Sequence, residues 1–451
     1  MNPDELLAIA AGLVERAEAN EQIEVACSHR VSTSVRVYEA EVESLTQAED
    51  QGIGIRVIRD GREGFASAGT LEPAVIEQML VDARDNATFA EADPHAGIAE
   101  PDDVEAVDID LWRDELFDYS VAQKIDMAVE VERRVKAADK RIAGVPTATY
   151  GDGAGSFALA SSNGVRAASR STSAGLGVQV LADDGGQAQT GYAGDGAREP
   201  GLIDIDDIVT RAVSQATDLL GATKPTSRKV SLVLDPRLAA TVLSVIAGTL
   251  SGGRVIKGRT PFADRVGETI AHPSLSFGDD PTDPESLGAE SYDGEGLACR
   301  PNVLVSNGVL DGYFWDSYTG RRGGTGSTGS ALRAARGLPG PGIHALTVDN
   351  GSGGGLDDLI AGVDDGVFVF SLAGLHSGVN AVSGDLSLGV EGRIIRNGAL
   401  AEPIGEATVG STLQRLLLDI IAIGSDRVHL SSGISTPSLV IGDVMLSGAA
   451  A

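Results

Sequence analysis

Leu6, Leu7, Ile9, Ala10, Leu13 and Val14 recur at helical spacing behind Asn2-Pro3, a natural cap and first-turn pair, which predicts an amphipathic helix at the start of the chain. From Glu24 to Val42 apolar and polar positions alternate instead, the period-two signature of half-buried strands. Gly52-Ile-Gly-Ile-Arg-Val-Ile-Arg-Asp-Gly61 then runs into Gly64-Phe-Ala-Ser67, two alternating stretches joined at Asp60-Gly61. Both of those residues tolerate positive φ, so the segment predicts a tight hairpin, and a helix follows from Glu72 to Thr88.

The same order returns 123 positions later. Gly175-Leu-Gly-Val-Gln-Val-Leu-Ala-Asp-Asp-Gly185 parallels Gly52 to Gly61 with one inserted residue, follows a turn signal at Asn163-Gly164, and precedes a helical pattern from Ile205 to Leu220. Two copies of a strand-strand-strand-helix unit predict an internal duplication. Between them, Asp110 to Asp139 reads as one long amphipathic helix with Leu111, Leu116, Ile125, Val129 and Val135 toward a core.

Gly221-Ala-Thr-Lys-Pro-Thr-Ser-Arg228 is polar, carries a proline and follows a helix, which makes it the domain junction, with one domain over 1–224 and another over 225–451. Past it, Val230 to Leu234 reads as a strand and Ala239 to Leu250 as a buried helix. Hairpins are expected at Asn307-Gly308 and Asn397-Gly398, and a late helix from Leu413 to Ile423. The fold class is therefore α+β: a duplicated strand-hairpin-helix first domain and a β-rich, barrel-like second domain.

Charge narrows the partners. The chain has 65 acidic and 35 basic residues, a formal net charge of -30, which disfavours nucleic acid and anionic membrane surfaces. Acids stand at the N-terminus where a signal peptide needs bases, and no stretch is an unbroken apolar run long enough to span a bilayer. Two cysteines, Cys27 and Cys299, cannot make a disulfide framework. A cytoplasmic location is expected.

Candidate chemistry is sparse. The closest two of the six histidines are 32 positions apart, so no helix carries a histidine pair, and neither His-Glu-x-x-His nor Gly-x-Ser-x-Gly occurs. Cys27-x-His29 faces one side of a strand but has no third ligand in sight. Gly324-Thr-Gly326-Ser-Thr-Gly329 matches the dinucleotide pattern, yet Asp316 to Gly323 before it looks loop-like rather than strand-like. The segment reads as a flexible loop flanked by Arg321 and Arg322, suited to lining a groove or anchoring a peptide carboxylate.

Taken in order, several segments resemble the TldD/PmbA family of bacterial and archaeal proteins. They are Gly52 to Gly61 with Gly64-Phe-Ala-Ser, Ser291-Tyr-Asp293-Gly-Glu-Gly296, Asn307-Gly308-Val-Leu, Ser317-Tyr-Thr-Gly-Arg321 with Ser327-Thr-Gly329, and Gly378-Val-Asn-Ala-Val-Ser-Gly384-Asp385. The resemblance implies two branches that pair: a TldD branch like a zinc metalloprotease with His-Glu-x-x-x-His on a helix, and a PmbA/TldE branch without those ligands. Here Ser244 and Thr249 fall where the histidines would be and Val245 where the glutamate would be, so this chain resembles the second branch. That implies no cofactor in this chain, zinc in a TldD-like partner, and metallopeptidase activity only in the heterodimer, acting on unfolded peptides or peptide precursors. Extended peptide is the implied substrate, and Arg321, Arg322, Gly324, Gly326, Ser327 and Gly329 are the expected groove residues. A metal-independent homodimeric peptide-binding protein is the alternative, and an enzyme with unrelated chemistry on the 324–330 loop a third reading. A catalytic TldD-like gene beside this one favours the first.

Overall fold

The structure, a computed structural model, describes residues 1–449. The first domain opens with α1 (Pro3–Val14), closed by a capping box in which Asn2 and Glu5 exchange side-chain and backbone hydrogen bonds of 2.9 Å. It is followed by β1 (Glu21–Tyr38), β2 (Glu41–Arg59), β3 (Arg62–Ala68) and α2 (Pro73–Phe89). The order then repeats as α3 (Val121–Ala138), β4 (Ile142–Ser161), β5 (Arg166–Asp183), β6 (Ala188–Ala197) and α4 (Ile205–Thr217). The six strands form one sheet, β3-β2-β1-β4-β5-β6, in which the two copies meet back to back at an antiparallel β1–β4 seam.

Each copy covers its half of the sheet with its own helices. Leu6, Ala10, Ile76 and Leu80 pack on Ile53 and Ile55, while Val131, Val135, Ile208 and Ala212 pack on Leu176 and Val178. One contact is reproduced in both halves. A methyl added to Gly64 on β3 would sit 2.0 Å from the Ala83 carbonyl of α2, and one on Gly191 of β6 would sit 2.3 Å from the Ala212 carbonyl of α4. Strand and helix backbones touch there, and glycine alone permits it. The expected single helix over 110–139 is divided instead: a 3₁₀ turn (Asp114–Asp118) precedes α3. Ser120 breaks the run because it caps α3 in a box with Gln123.

In the second domain the elements are β7 (Arg228–Leu234), α5 (Pro236–Gly248), α6 (Gly252–Val255), β8 (Phe277–Asp279), β9 (Asn302–Ser306), β10 (Val309–Leu310), α7 (Ser317–Gly323), β11 (Ala331–Leu332), β12 (Gly340–Pro341) and β13 (Leu346–Val348). There follow α8 (Leu356–Ala361), β14 (Asp365–Ala373), β15 (Asp385–Arg396), β16 (Ala399–Thr412), α9 (Leu413–Leu418), β17 (Ile420–Ile423), β18 (Val428–His429), β19 (Ser435–Thr436) and β20 (Leu439–Ser447). β16, β15, β14, β7 and β20 pair in that order and β16 pairs again with β20, which closes a five-stranded barrel. The mixed α+β class and barrel-like second domain expected from the sequence are both present.

The hairpins at Asp60-Gly61, Asn307-Gly308 and Asn397-Gly398 have positive φ at both turn residues, as the type I′ turn requires. The late helix is shorter than expected. It stops at Leu418, because Ile420 to Ile423 pair with β20 as a strand. Among the described residues no helix is long and apolar enough to cross a membrane.

Candidate functional site

Helix α5 is set by an Asp235 cap that accepts from the Leu238 amide at 2.9 Å, and by Ala239, Val242, Leu243, Ile246 and Ala247, which bury one face in the barrel core. The three sequence candidates on it point three ways. Ser244 is exposed, and its Oγ donates to the Thr241 carbonyl at 2.9 Å. Val245 is half-buried against the core. Thr249 is buried, and its Oγ1 donates to the Ile246 carbonyl at 2.6 Å. At ~100° per residue, positions five apart diverge by ~140°, so Gly248 rather than Thr249 shares the face of Ser244. One outward hydroxyl, an isopropyl group and one internally bonded hydroxyl do not fit zinc, which takes imidazole, thiolate or carboxylate donors. Among the described residues no three His, Cys, Asp or Glu side chains are grouped to hold a metal ion.

Ser244 and Gly248 line a cavity of about 420 Å³, together with Ser251, Arg254, Phe314 and His344. His344 also borders a second cavity of about 350 Å³ between the domains, walled by Ser28 and Arg170 from the first and Glu290 and Arg333 from the second. Its imidazole is 2% exposed, with Nδ1 3.4 Å from Glu290 Oε2 and Nε2 without a partner. Burial alone lowers its pKa, but the Glu290 contact and the Glu290, Asp279 and Asp293 charges together carry it above the ordinary value. Sequence reasoning missed His344 and Arg254, since neither belongs to any local spacing.

The 316–330 segment is more ordered than expected. Asp316 caps α7 by accepting from the Thr319 amide, and Gly324 ends it in the left-handed conformation. The expectation of a loop over Asp316 to Gly323 is thus corrected. With a helix before the glycines and a strand after them, the dinucleotide arrangement is absent. Arg321 is spent on the first domain, donating to the carbonyls of His95 at 2.9 Å, Gly97 at 2.6 Å and Ile98 at 3.4 Å. Its fork is not free for a ligand carboxylate, which corrects that expectation for Arg321. Arg322 is exposed and stacks over Tyr318 at 5.7 Å. Ser327 Oγ donates to the Trp315 carbonyl at 3.3 Å, Gly329 is buried at φ +68 beneath Ala298, and the backbone of Gly326 lies against Gly320. None of Arg321, Arg322, Gly324, Gly326, Ser327 and Gly329 lines either cavity.

Beside this brace, charge is buried at the domain junction. Glu24 on β1 pairs with Arg333 and lies 3.8 Å from Arg56, which also holds Glu63 at 2.6 Å. Glu295 accepts from the Ser317 amide at 2.8 Å, and Asp293 accepts from the amides of Glu295, Leu297 and Ala331. Burial first, then the neighbouring Asp293, Glu24 and Asp316 charges, push Glu295 up to about 8; burial pushes Asp293 up to about 6. Glu24 Oε2, Glu295 Oε1, Arg56 Nη1 and Arg333 Nη2 are buried without a hydrogen-bond partner. The glycines of the 291–296 segment are explained here. Gly294 lies against Arg333, and Gly296, at φ +76, lies against Val165 and Leu159 of the first domain.

Three family domains match the chain in order: PmbA/TldA metallopeptidase domain 1 over residues 23–87, the central domain over 114–220 and the C-terminal domain over 227–448. The metalloprotease PmbA of Escherichia coli O157:H7 is 26% identical over 444 residues, covering 98% of this chain and 95% of that one. A metalloprotease TldD homologue of Haemophilus influenzae is 25% identical over 436 residues, covering 88% of this chain and 87% of its own. In fold, the chain is similar to TldE from Thermococcus kodakarensis, with a TM-score of 0.88, 24% identity and 99% of both chains covered.

Proposed function

Because the chain belongs to the PmbA/TldD family, we propose that it is a PmbA/TldE-type, non-catalytic subunit of a TldD-type metallopeptidase complex in the cytoplasm. It completes a substrate cleft for unfolded peptides or peptide precursors, and the zinc belongs to the partner. The reading is supported by α5, where the family resemblance aligns Ser244, Val245 and Thr249 with a ligand pair and a general base and where none of the three offers a zinc donor. Zinc hydrolysis needs donors that hold the metal and a carboxylate that takes a proton from water, and these side chains supply neither. A cavity lined by Ser244 and Gly248 lies beside α5, which favours a role in binding.

Two measurements test the proposal. Metal analysis of the purified chain should find no stoichiometric zinc, and the chain alone should cleave no peptide. Mixed with a TldD-type subunit of the same organism, it should co-elute as a heterodimer at low micromolar concentration, as an interface of ~1,600 Å² permits. One tightly bound zinc with chelator-sensitive proteolysis by the chain alone would overturn the non-catalytic assignment. Homodimers that ignore the TldD-type subunit would favour the alternative, a metal-independent peptide-binding protein.

A further inference from the structure

Arginines across this acidic molecule are mostly claimed by carboxylates: Arg228 by Asp365, Arg211 by Asp207, Arg300 by Asp102. Arg254 on α6 is different. It is exposed at the rim of the cavity under α5, and among the described residues no hydrogen bond or ion pair engages its guanidinium. Although the chain carries a net charge of -30, no acidic residue lines this cavity. Its polar groups are the hydroxyls of Ser244, Ser251 and Ser432, the Arg254 fork and the His344 ring. His344 borders the cavity with a ring only 2% exposed, whose Nδ1 faces Glu290 and whose Nε2 is buried. Phe314, Ile343, Leu346 and Ile434 give the remaining wall an apolar character. A side chain built on Gly248 would meet nothing within 4 Å, so that helix position opens onto free space.

We propose that this cavity is a carboxylate-anchoring peptide subsite, in which Arg254 forks onto the carboxylate of an extended peptide and the serine hydroxyls complete its hydrogen bonds. The inference rests on the peptide-handling role proposed above and names the chemistry that the α5 cleft recognises. A bidentate guanidinium pair suits a planar carboxylate, and apolar walls beside it suit the adjoining side chain. Both a chain-terminal carboxylate and an acidic side chain offer the same two oxygens.

The test is fluorescence anisotropy with the full-length chain alone and three labelled eight-residue peptides of one uncharged sequence: free acid, C-terminal amide, and amide with one internal Glu. The free acid, the Glu-bearing amide or both should bind at least tenfold more tightly than the plain amide, and which of them does so identifies the source of the carboxylate. Arg254→Gln should bring the preferred peptide down to the level of the plain amide, and Gly248→Leu, which fills the open space on a helix, should abolish binding of all three. Equal affinity for all three peptides, no measurable binding by the wild-type chain, or an unchanged preference in Arg254→Gln would overturn the proposal. Co-elution with a TldD-type subunit is read separately, so loss of the subsite and loss of the partner role give different results.

Discussion

The cleft under α5 and the junction between the domains are both polar, and they are built oppositely. The junction packs Glu24, Arg56, Arg333 and Glu295 almost free of solvent, with two strongly raised carboxyl pKa values. The cleft is open, carries no acid, and holds its hydroxyls and Arg254 on a rim. Perturbed titration is often a mark of catalysis, but here it marks the joint, where desolvated charges tie the first sheet to the second domain. The cleft is bordered on α5 by Ser244, a hydroxyl with only a local hydrogen bond.

The largest effect should follow from breaking the joint. Arg333→Ala leaves Glu24 buried and unpaired and is expected to cost about 3–5 kcal/mol in denaturant unfolding. A cost below about 1 kcal/mol would mean that water already satisfies Glu24. Arg321→Ala removes three hydrogen bonds to first-domain carbonyls and should cost about 2 kcal/mol, whereas exposed Arg322→Ala should stay within about 0.5 kcal/mol. Equal effects at the two positions would return Arg321 to the groove.

Glu295 makes the junction pH-sensitive. Its folded pKa is raised to about 8 from an ordinary 4.5, so the folded state holds a proton that the unfolded chain releases. Its contribution is fully present below the unfolded value and is lost as pH rises through about 8, with Asp293 acting in the same direction at lower pH. Melting temperatures measured from pH 5 to 9 should fall, and Glu295→Gln should flatten that fall. An unchanged slope would remove Glu295 from the explanation. The smallest effect belongs to the cleft: Ser244→Ala should alter stability by no more than about 0.5 kcal/mol, since Oγ makes only a local bond to the turn below.

Much of the fold is legible in sequence because its signals are local. The Gly-Ile-Gly and Gly-Leu-Gly strands announce the duplication, and Asp-Gly and Asn-Gly place hairpins where both residues have positive φ. Helix α7 is not legible, since Ser-Tyr-Thr-Gly-Arg-Arg-Gly has weak intrinsic helicity. It forms because Asp316 caps one end, Gly324 the other, and Arg321 docks it on the first domain. Ser120 and Gln123 spell a capping box, but the apolar periodicity on both sides of it is the stronger local signal and points to one continuous helix. Helix α5 is singled out only by family resemblance, and Arg254 and His344 reach the same cavity from segments 90 positions apart, so no one-dimensional pattern links them.

The central claim is that the chain contributes binding surface to a partner's catalysis. The most direct measurement is the rate of peptide cleavage by a zinc-loaded TldD-type subunit, alone and with an equimolar amount of this chain. The account predicts little or no cleavage by either protein separately and chelator-sensitive cleavage by the mixture. Full activity of the TldD-type subunit alone, unchanged when this chain is added, would contradict it.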